Sequence, residues 1–319
     1  RQKWSDKLTG GALFNPADPD MAANLTKLAD SVSNADHTGL WDRVNKASNR
    51  TNVWSDMTST TDSSQISTAY ARLKTMALAY NMYGTPLYHN IALRDDIVSA
   101  MEWMYTNRYN ETKSPYGNWF DWEIGVPQAL NDLIVLMYGQ LTQGQITKYI
   151  KPIDKFCPDP KAGSVLGVKG VKMTGANLLD KALVATVRGV IGNNSARILQ
   201  GRDAIGPEFA YADHGDGVYQ DGSLVQHTNI AYTAGYGAVW LSRAADMTFL
   251  LNSSPWPVTD PNVNNVYQWV SDTFEPVIYK GLYMDMVNGR GMSRQASGSA
   301  RGTITTLLRL AEGAPADVA

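Results

Sequence analysis

The sequence predicts an all-α fold, and three observations support this prediction. Apolar residues recur every three or four positions in several segments of the 319-residue chain, which is the spacing of one helix face. Strict alternation of apolar and polar residues, the pattern of half-buried strands, is rare. A dinucleotide-binding glycine fingerprint, a P-loop and a strand–helix rhythm are all missing, which disfavours a parallel α/β fold.

The first predicted helices follow from a start signal and from apolar spacing. Ala22–Val32 follows Pro16–Pro19, a segment that stops one element and starts the next. Ser64–Tyr83 and Leu93–Tyr109 each carry an apolar stripe at i, i+3 and i+4 spacing. These stripes indicate amphipathic helices.

The remaining helices are predicted by the same criteria. Trp122–Gly139 has the helical apolar spacing, and Gln143–Phe156 is a shorter helix that Pro158 and Pro160 close. The others are expected at Asn177–Ile191, Ser195–Gly201, His227–Leu251, Pro261–Val277 and Thr303–Glu312. Of these, His227–Leu251 is the longest apolar segment.

Long connections join these helices. They are Ser33–Ser63, Asn110–Asp121, Cys157–Thr174, Gly206–Ser223 and Gly281–Gly302. Successive helices suggest antiparallel pairs, which can stack into a bundle, a solenoid or an α/α toroid. No repeat of fixed period is present, which disfavours a helical repeat array. Because long loops in compact domains are usually functional or disordered, we expect the functional site there.

Composition argues against several classes of protein. The chain has 30 acidic and 28 basic residues, a net charge of −2, which does not suit a nucleic-acid binder. No uncharged apolar run approaches the roughly 18–20 residues that span a bilayer. Cys157 is the single cysteine, which excludes an internal disulfide and a multi-cysteine metal site. We expect Cys157 to be a small buried side chain.

An aromatic loop and an aspartate-rich segment are candidate functional features. Tyr116–Trp122 holds four aromatic residues and an Asn, which suits either a platform for sugar rings or an apolar plug over a helix start. In the segment Gly215–Asn229, the EF-hand pattern is not matched. Asp216 and Asp221 are therefore interpreted as turn or cap residues.

Two further constellations contain groups capable of catalysis or anion binding. His227 precedes Tyr236 by nine residues, and glycines flank the Tyr; the pair is either structural or catalytic. Arg290 and Arg294 are four residues apart in a glycine-rich segment. If that segment is helical, both guanidinium groups share one face, either as a solvated basic surface or as a site for a carboxylate.

These segments resemble the motifs of polysaccharide lyase family 8, which includes hyaluronate, chondroitin AC and xanthan lyases. The matching motifs are Asn118–Gly125, Thr174–Asn177, Asp221–Asn229, Ala231–Gly237 and Met284–Arg294. They occur in the family's order and with similar spacing over essentially the whole chain. The resemblance implies one all-α domain over residues 1–319, an incomplete (α/α) toroid of paired antiparallel helices.

The resemblance also implies roles for individual residues. The catalytic positions are Asn177, His227, Tyr236, Arg290 and Arg294, and the substrate-binding positions are Asn118, Trp119, Phe120 and Trp122. Phe120 departs from the family pattern, which usually has a second Trp there. The family's reaction is a syn β-elimination at a uronic acid, in which a Tyr moves the proton. Asn and His neutralise the uronate carboxylate, and an adjacent Arg favours the phenolate.

The resemblance further implies partners and a location. We expect an acidic polysaccharide substrate, no metal, no cofactor, no nucleic-acid or membrane partner, and a secreted, extracellular protein. The family's C-terminal β-sheet domains, which complete the cleft, are not part of this chain. We therefore expect the chain to be a fragment or a cleaved piece that works with such a β-sheet portion.

The substrate and two other classes of function stay open. Glu123–Gly125 and Ser293–Ser297 look closer to hyaluronate lyases, whereas Leu8–Gly11 and Trp269–Phe274 look closer to xanthan lyases. Hyaluronan or chondroitin is favoured, and xanthan is the alternative. A glycoside hydrolase on an α/α toroid would need two paired carboxylates, and no clear pair is present. A non-catalytic carbohydrate-binding domain would need only the aromatics.

Overall fold

The computed structural model describes residues 1–294 and 298–314 and is predominantly helical. The helices are α1 Gln2–Thr9, α2 Pro19–Val32, α3 Ser64–Asn81, α4 Ile91–Asn107, α5 Val126–Met137, α6 Gln143–Phe156, α7 Gly175–Ile191, α8 Ser195–Ala204, α9 Ala238–Leu251, α10 Asn265–Trp269 and α11 Arg301–Glu312. Single π-helical turns, Asp121–Gly125 and Thr233–Gly237, lead into α5 and α9. Such turns are often found at functional sites.

Short antiparallel strands lie in the long connections. They are β1 Ala162–Val165, β2 Val168–Lys172, β3 Gly217–Val218, β4 Leu224–Gln226, β5 Ile230–Ala231, β6 Ile278–Tyr279 and β7 Leu282–Tyr283. Strands β3, β4 and β5 form one small sheet, with Val218 opposite Leu224 and Gln226 opposite Ile230. Residues 295–297, the end of one of the hyaluronate-like motifs, lie outside the described residues.

The chain divides into two compact units. The first comprises Arg1–Pro158, Ser164–Val168 and Val187–Asn194. The second comprises Asp159–Gly163, Lys169–Thr186 and Ser195–Ala319. The expectation of one domain over residues 1–319 stays a prediction.

In the first unit, α3 is the central helix and packs against α2, α4 and α5. Leu73 and Met76 of α3 are fully buried, as the apolar spacing predicts. Two neighbouring helices begin at capping residues whose side chains accept from free backbone amides. Asn90 Oδ1 accepts from Leu93 N at 3.0 Å at the start of α4, and Thr142 forms a capping box with Gln145 at the start of α6. Capping residues and buried apolar side chains therefore both stabilise the helices of this unit.

The sequence analysis missed helix α1, which is held by one anchor. Trp4 is its buried residue, and the indole Nε1 donates to Asp132 Oδ1 of α5 at 2.7 Å. A helix of 8 residues is marginal by itself, so packing on α5 is what stabilises it. Cys157, by contrast, is fully buried as predicted.

In the second unit, α9 packs against α11 across buried charges. Arg243 Nε donates to Asp180 Oδ1 of α7 at 2.6 Å, and Arg309 Nη1 of α11 donates to Asp246 Oδ1 at 2.7 Å. Asp246 is fully buried. Because a buried carboxylate requires a charged partner, these arginines fix how α7, α9 and α11 pack.

Two predicted helices differ from the structure. The segment predicted as one helix from His227 to Leu251 begins instead with the β4–β5 turn, because His227 and Thr228 have left-handed backbones with φ 56° and 73°. Regular α9 begins only at Ala238. The helix predicted over Pro261–Val277 is broken into short α, 3₁₀ and π segments. Within the described residues, no helix is long and apolar enough to cross a membrane.

Candidate active site

Arg290 lies at the centre of a polar cluster in the second unit. Its Nη2 is 3.2 Å from Tyr236 Oη and 3.4 Å from His227 Nε2. Its Nε donates to Tyr232 Oη at 3.4 Å. One guanidinium therefore contacts the imidazole and both phenols, and it is a fixed positive charge because arginine stays protonated in proteins.

The three rings pack edge to face around this guanidinium. The His227 and Tyr236 ring centroids are 4.7 Å apart at 81°, and those of Tyr232 and Tyr236 are 4.8 Å apart at 76°. Tyr232 is buried, whereas Tyr236 is half-buried and His227 is exposed. The buried ring thus supports two rings that a ligand can reach.

The contacts also stabilise the charge of Arg290. Its hydrogen bond to Tyr232, together with the electrostatic interaction with the Tyr236 and Tyr232 hydroxyls, raises the pKa of Arg290 above its ordinary value. A positive charge therefore lies within hydrogen-bond distance of the Tyr236 hydroxyl.

Close backbone approach, which glycine alone permits, builds the cluster. Gly289 has φ 51°, and a Cβ there would lie 2.6–2.7 Å from three atoms of the Tyr232 ring. Gly235, in the π-helical turn that carries Tyr236, would place a Cβ 2.5 Å from the same ring. Any larger residue at either position would force the Tyr232 ring and the adjacent backbone apart.

Asn177 is the third residue of α7, and its neighbours are tied to the His227 turn. Gly175 N donates to Glu208 Oε2 at 2.8 Å, and Ala176 N donates to Gln226 Oε1 at 3.4 Å. Gln226 directly precedes His227 in the chain. The start of α7 and the His227 turn are thus joined, although their residues are fifty positions apart.

Arg294 does not join Arg290 on a helical face, which corrects the interpretation of the pair as helical neighbours. Gly289–Ser293 is a 3₁₀ segment, and Arg294 follows it with an extended backbone. Its side chain is exposed and, within residues 1–294 and 298–314, makes no hydrogen bond to the cluster. The 3₁₀ segment and the extended residue place the two side chains differently from an α-helix.

A second group of predicted site residues lies in the first unit. Asp121 Oδ2 accepts from Ser63 Oγ at 2.6 Å, and Ser63 Oγ accepts from Asn118 N at 2.8 Å. This chain of hydrogen bonds holds the loop that presents Trp119 and Phe120, whose ring centroids are 6.3 Å apart at 79°. Phe120 is 38% exposed and Trp119 is half-buried. Both rings are open to a ligand.

Trp122 differs from the expectation that it contacts substrate. Its ring is only 1% exposed, packs on Phe156 at 4.9 Å, and donates through Nε1 to Tyr116 O at 2.8 Å. With both faces in the core, the ring is not available for stacking on a sugar. Trp122 is instead an apolar plug beneath the loop, and the sugar platform formed by Trp119 and Phe120 stays a prediction.

Sequence reasoning assigned no role to Tyr232. Its position four residues before Tyr236 was the available signal, since such spacing brings side chains together on a helical turn. Among the described residues, no three His, Cys, Asp or Glu side chains are grouped so that they could hold a metal ion.

The helical fold carries a cluster of one guanidinium, one imidazole and two phenols, and comparison with known proteins gives its family. The chain belongs to polysaccharide lyase family 8, because the model for that family's N-terminal alpha-helical domain matches residues 4–319. This match confirms both the resemblance and the predicted all-α fold class.

Named relatives act on different polysaccharides. The chain is 39% identical to a xanthan lyase of Bacillus sp. (strain GL1), over 99% of this chain and 33% of that protein. It is 34% identical to a hyaluronate lyase of Thermasporomyces composti, over 98% of this chain and 38% of that protein. The chain thus spans about a third of the length of these curated relatives.

Solved structures of two lyases have the same fold as this chain. The Paenibacillus xanthan lyase matches with a TM-score of 0.90 and 42% identity, over 99% of this chain and 29% of that one. The Streptomyces coelicolor A3 chondroitin AC lyase, solved with chondroitin sulphate, matches with a TM-score of 0.87 and 33% identity, over 99% and 42%. The fold is therefore shared between lyases named for different substrates.

Proposed function

We propose that this protein is a lyase that cleaves a uronic-acid-containing polysaccharide by syn β-elimination, with no step assigned to a metal or cofactor. The observation that carries the proposal is the Arg290 guanidinium, within 3.4 Å of both Tyr236 Oη and His227 Nε2. Family membership supports the same reaction class.

The first step is neutralisation of the uronate carboxylate. The proton at C5 is barely acidic while the adjacent carboxylate is charged, because the carbanion would carry a second negative charge. The Asn177 amide and the His227 imidazole donate hydrogen bonds to that carboxylate. Losing one such donor typically costs about 10²–10³-fold in rate.

Tyr236 moves the proton. Its phenolate, stabilised by Arg290, takes the C5 proton; the C4–O4 bond then breaks, and its electron pair leaves with O4. The C5–H electron pair forms the C4–C5 double bond. Tyr236 returns the proton to O4. Since one residue serves both atoms, the proton and the leaving oxygen must lie on the same side of the ring.

Other residues bind the polymer. Trp119 and Phe120 would stack on sugar rings, and the exposed Asn118 would supply hydrogen bonds. Arg294 is assigned to a substrate carboxylate rather than to Tyr236, because its side chain is exposed and does not contact the cluster.

The residue patterns and the sequence identities favour different substrates. The residues favour hyaluronan or chondroitin, whereas sequence identity is higher to xanthan lyases, at 39% and 42%, than to the hyaluronate and chondroitin lyases, at 34% and 33%. Xanthan is therefore retained as the second candidate. Both candidates present a uronate to the same Tyr236.

A β-sheet portion that completes the cleft is part of the proposal, as is action outside the cell. Exposed apolar surface supports the β-sheet portion. Large apolar side chains near the end of the second unit are exposed, namely Tyr279, Leu282, Met284, Met286, Met292, Ile304 and Leu308. Exposed apolar surface of this kind commonly marks an interaction site.

The test is an ultraviolet assay for the conjugated 4,5-unsaturated uronate. The chain alone and the full-length protein are mixed separately with hyaluronan, chondroitin sulfate and xanthan. We expect absorbance to rise with one of them, to be abolished by Tyr236→Phe, and to be retained by the control Tyr83→Phe, whose exposed ring lies outside the cluster.

Two other outcomes would replace the proposal. New reducing ends without absorbance would indicate a glycoside hydrolase. Binding without any cleavage by the full-length protein, lost in Trp119→Ala, would indicate a non-catalytic carbohydrate-binding domain.

A further inference from the structure

We propose that Asp216 is a positioning residue that holds the start of α7, which carries Asn177, and the turn that carries His227 in one arrangement. The inference rests on the proposed function, because Asn177 and His227 are its two carboxylate-binding groups. Asp216 itself is not assigned any contact with substrate.

The half-buried carboxylate of Asp216 accepts from two segments of the second unit. Its Oδ2 accepts from Thr174 Oγ1 at 2.8 Å and from Gln226 Nε2 at 2.5 Å. Its Oδ1 accepts from Thr228 N at 2.6 Å. Thr174 lies directly before α7, and the other two donors flank His227. Hydrogen bonds to an ionised acceptor are stronger than neutral ones, so this carboxylate links the two segments firmly.

Asp216 also fixes the orientation of the Gln226 amide. Gln226 is buried, and its Nε2 faces Asp216 while its Oε1 accepts from Ala176 N. An amide turned the other way would place Oε1 against the carboxylate and Nε2 against an N–H. The amide orientation that lets Gln226 donate to Asp216 is therefore also the one that lets it accept from Ala176, the residue before Asn177.

The His227 turn needs such support because its backbone is strained. His227 and Thr228 both occupy the left-handed region, which residues with a Cβ avoid. Thr228 is exposed, so water could accept from its backbone N–H in other conformations. The bond to Asp216 favours the conformation that points the imidazole at Arg290.

Glu208 does not provide the same link. Its carboxylate accepts from Gly175 N at the start of α7 and from the Trp240 side chain of α9, but from no residue of the His227 turn. Of these two carboxylates, only that of Asp216 accepts from both the start of α7 and the His227 turn.

The experiment compares Asp216→Asn with Asp221→Asn, the matched control. Asp221 is an exposed aspartate of the same region whose carboxylate accepts from Ser223 within its own turn. In Asp216→Asn, one oxygen becomes an NH₂ group that faces donors. We expect kcat to fall about 10- to 100-fold, as for a small misplacement of catalytic groups, with KM within about threefold. The control should retain wild-type values.

Hydrogen exchange supplies a readout that does not need lyase activity. In Asp216→Asn, amides in both 174–178 and 226–230 should exchange faster than in the wild type and in Asp221→Asn. Faster exchange in only one of these segments would overturn the inference. So would a fall in kcat and in unfolding midpoint that is the same in Asp216→Asn as in Asp221→Asn. If the wild type cleaves no substrate, the proposed function fails, and the exchange result still decides the link.

Thr174→Val is the milder variant should Asp216→Asn not fold. It removes one of the three donors and leaves the carboxylate with the other two. We expect a smaller fall in kcat and faster exchange at the start of α7. Unchanged kcat and unchanged exchange in this variant would contradict the role of Asp216 on the α7 side.

Discussion

Gly289→Ala tests the close packing that places Arg290. The new Cβ would lie 2.6–2.7 Å from three Tyr232 ring atoms, at a residue whose φ is 51°. The left-handed backbone costs an alanine about 1–2 kcal/mol, and overpacking of this degree adds about 1–3 kcal/mol. Because Tyr232 is buried, the strain is relieved by moving residues 289–290 away from the ring.

The control isolates the clash from the backbone strain. Gly281 also has a left-handed backbone, with φ 79°, but a Cβ there meets nothing within 4 Å. Gly281→Ala should therefore carry only the backbone cost, and Gly289→Ala should be about 1–3 kcal/mol less stable than this control.

Two assays decide the outcome. In thermal unfolding, the difference corresponds to about 2 °C per kcal/mol for a chain of this size. In the absorbance assay, displacement of Arg290 from Tyr236 should lower kcat about 10- to 100-fold in Gly289→Ala, with little change in Gly281→Ala. Equal stability and equal activity of the two variants would refute the close approach of Gly289 to Tyr232.

Three other predictions follow from burial and charge. Trp122→Ala should lower the free energy of unfolding by about 3–5 kcal/mol, whereas Trp119→Ala should weaken polysaccharide binding at nearly unchanged stability; denaturation and binding titrations of both would separate a core role from a surface role. Arg309→Ala removes the guanidinium that lies 2.7 Å from the fully buried Asp246 and should lower the free energy of unfolding, measured by chemical denaturation, by about 1–3 kcal/mol. This is less than the usual effect of breaking a buried ion pair, because Arg243 stays 3.6 Å from Asp246. Burial raises the pKa of Glu208 above its ordinary 4.5, so the stability that it contributes below that value is lost as the pH rises through the folded pKa; Glu208→Gln should flatten this decline in denaturation measured across the pH range, and an unchanged profile would contradict it.

Much of the architecture was predictable from local patterns. The apolar spacing of α3 and α4 and the proline closure after α6 act within a few residues, so they can be read directly from the chain. The motifs around His227, Tyr236 and Arg290 were sufficient to propose which side chains act together. The short distances among these three groups agree with that proposal.

Some features depended on contacts between distant residues. Helix α1 forms because Trp4 packs on a helix more than a hundred residues away. The side-chain type of Trp122 suits a sugar platform as well as a core, and only its packing on Phe156 and Tyr116 assigned it to the core.

The sequence by itself determined the helical class, the family and the chemical groups of the candidate site. Tertiary structure alone decided the backbone on which those groups sit. His227 lies in an apolar segment that reads as helix, yet a hydrogen bond between Asp216 and Thr228 N, twelve residues apart, favours a left-handed turn there. Periodicity reports only which face of a segment is apolar, whereas such a turn depends on which acceptor the folded chain brings to it.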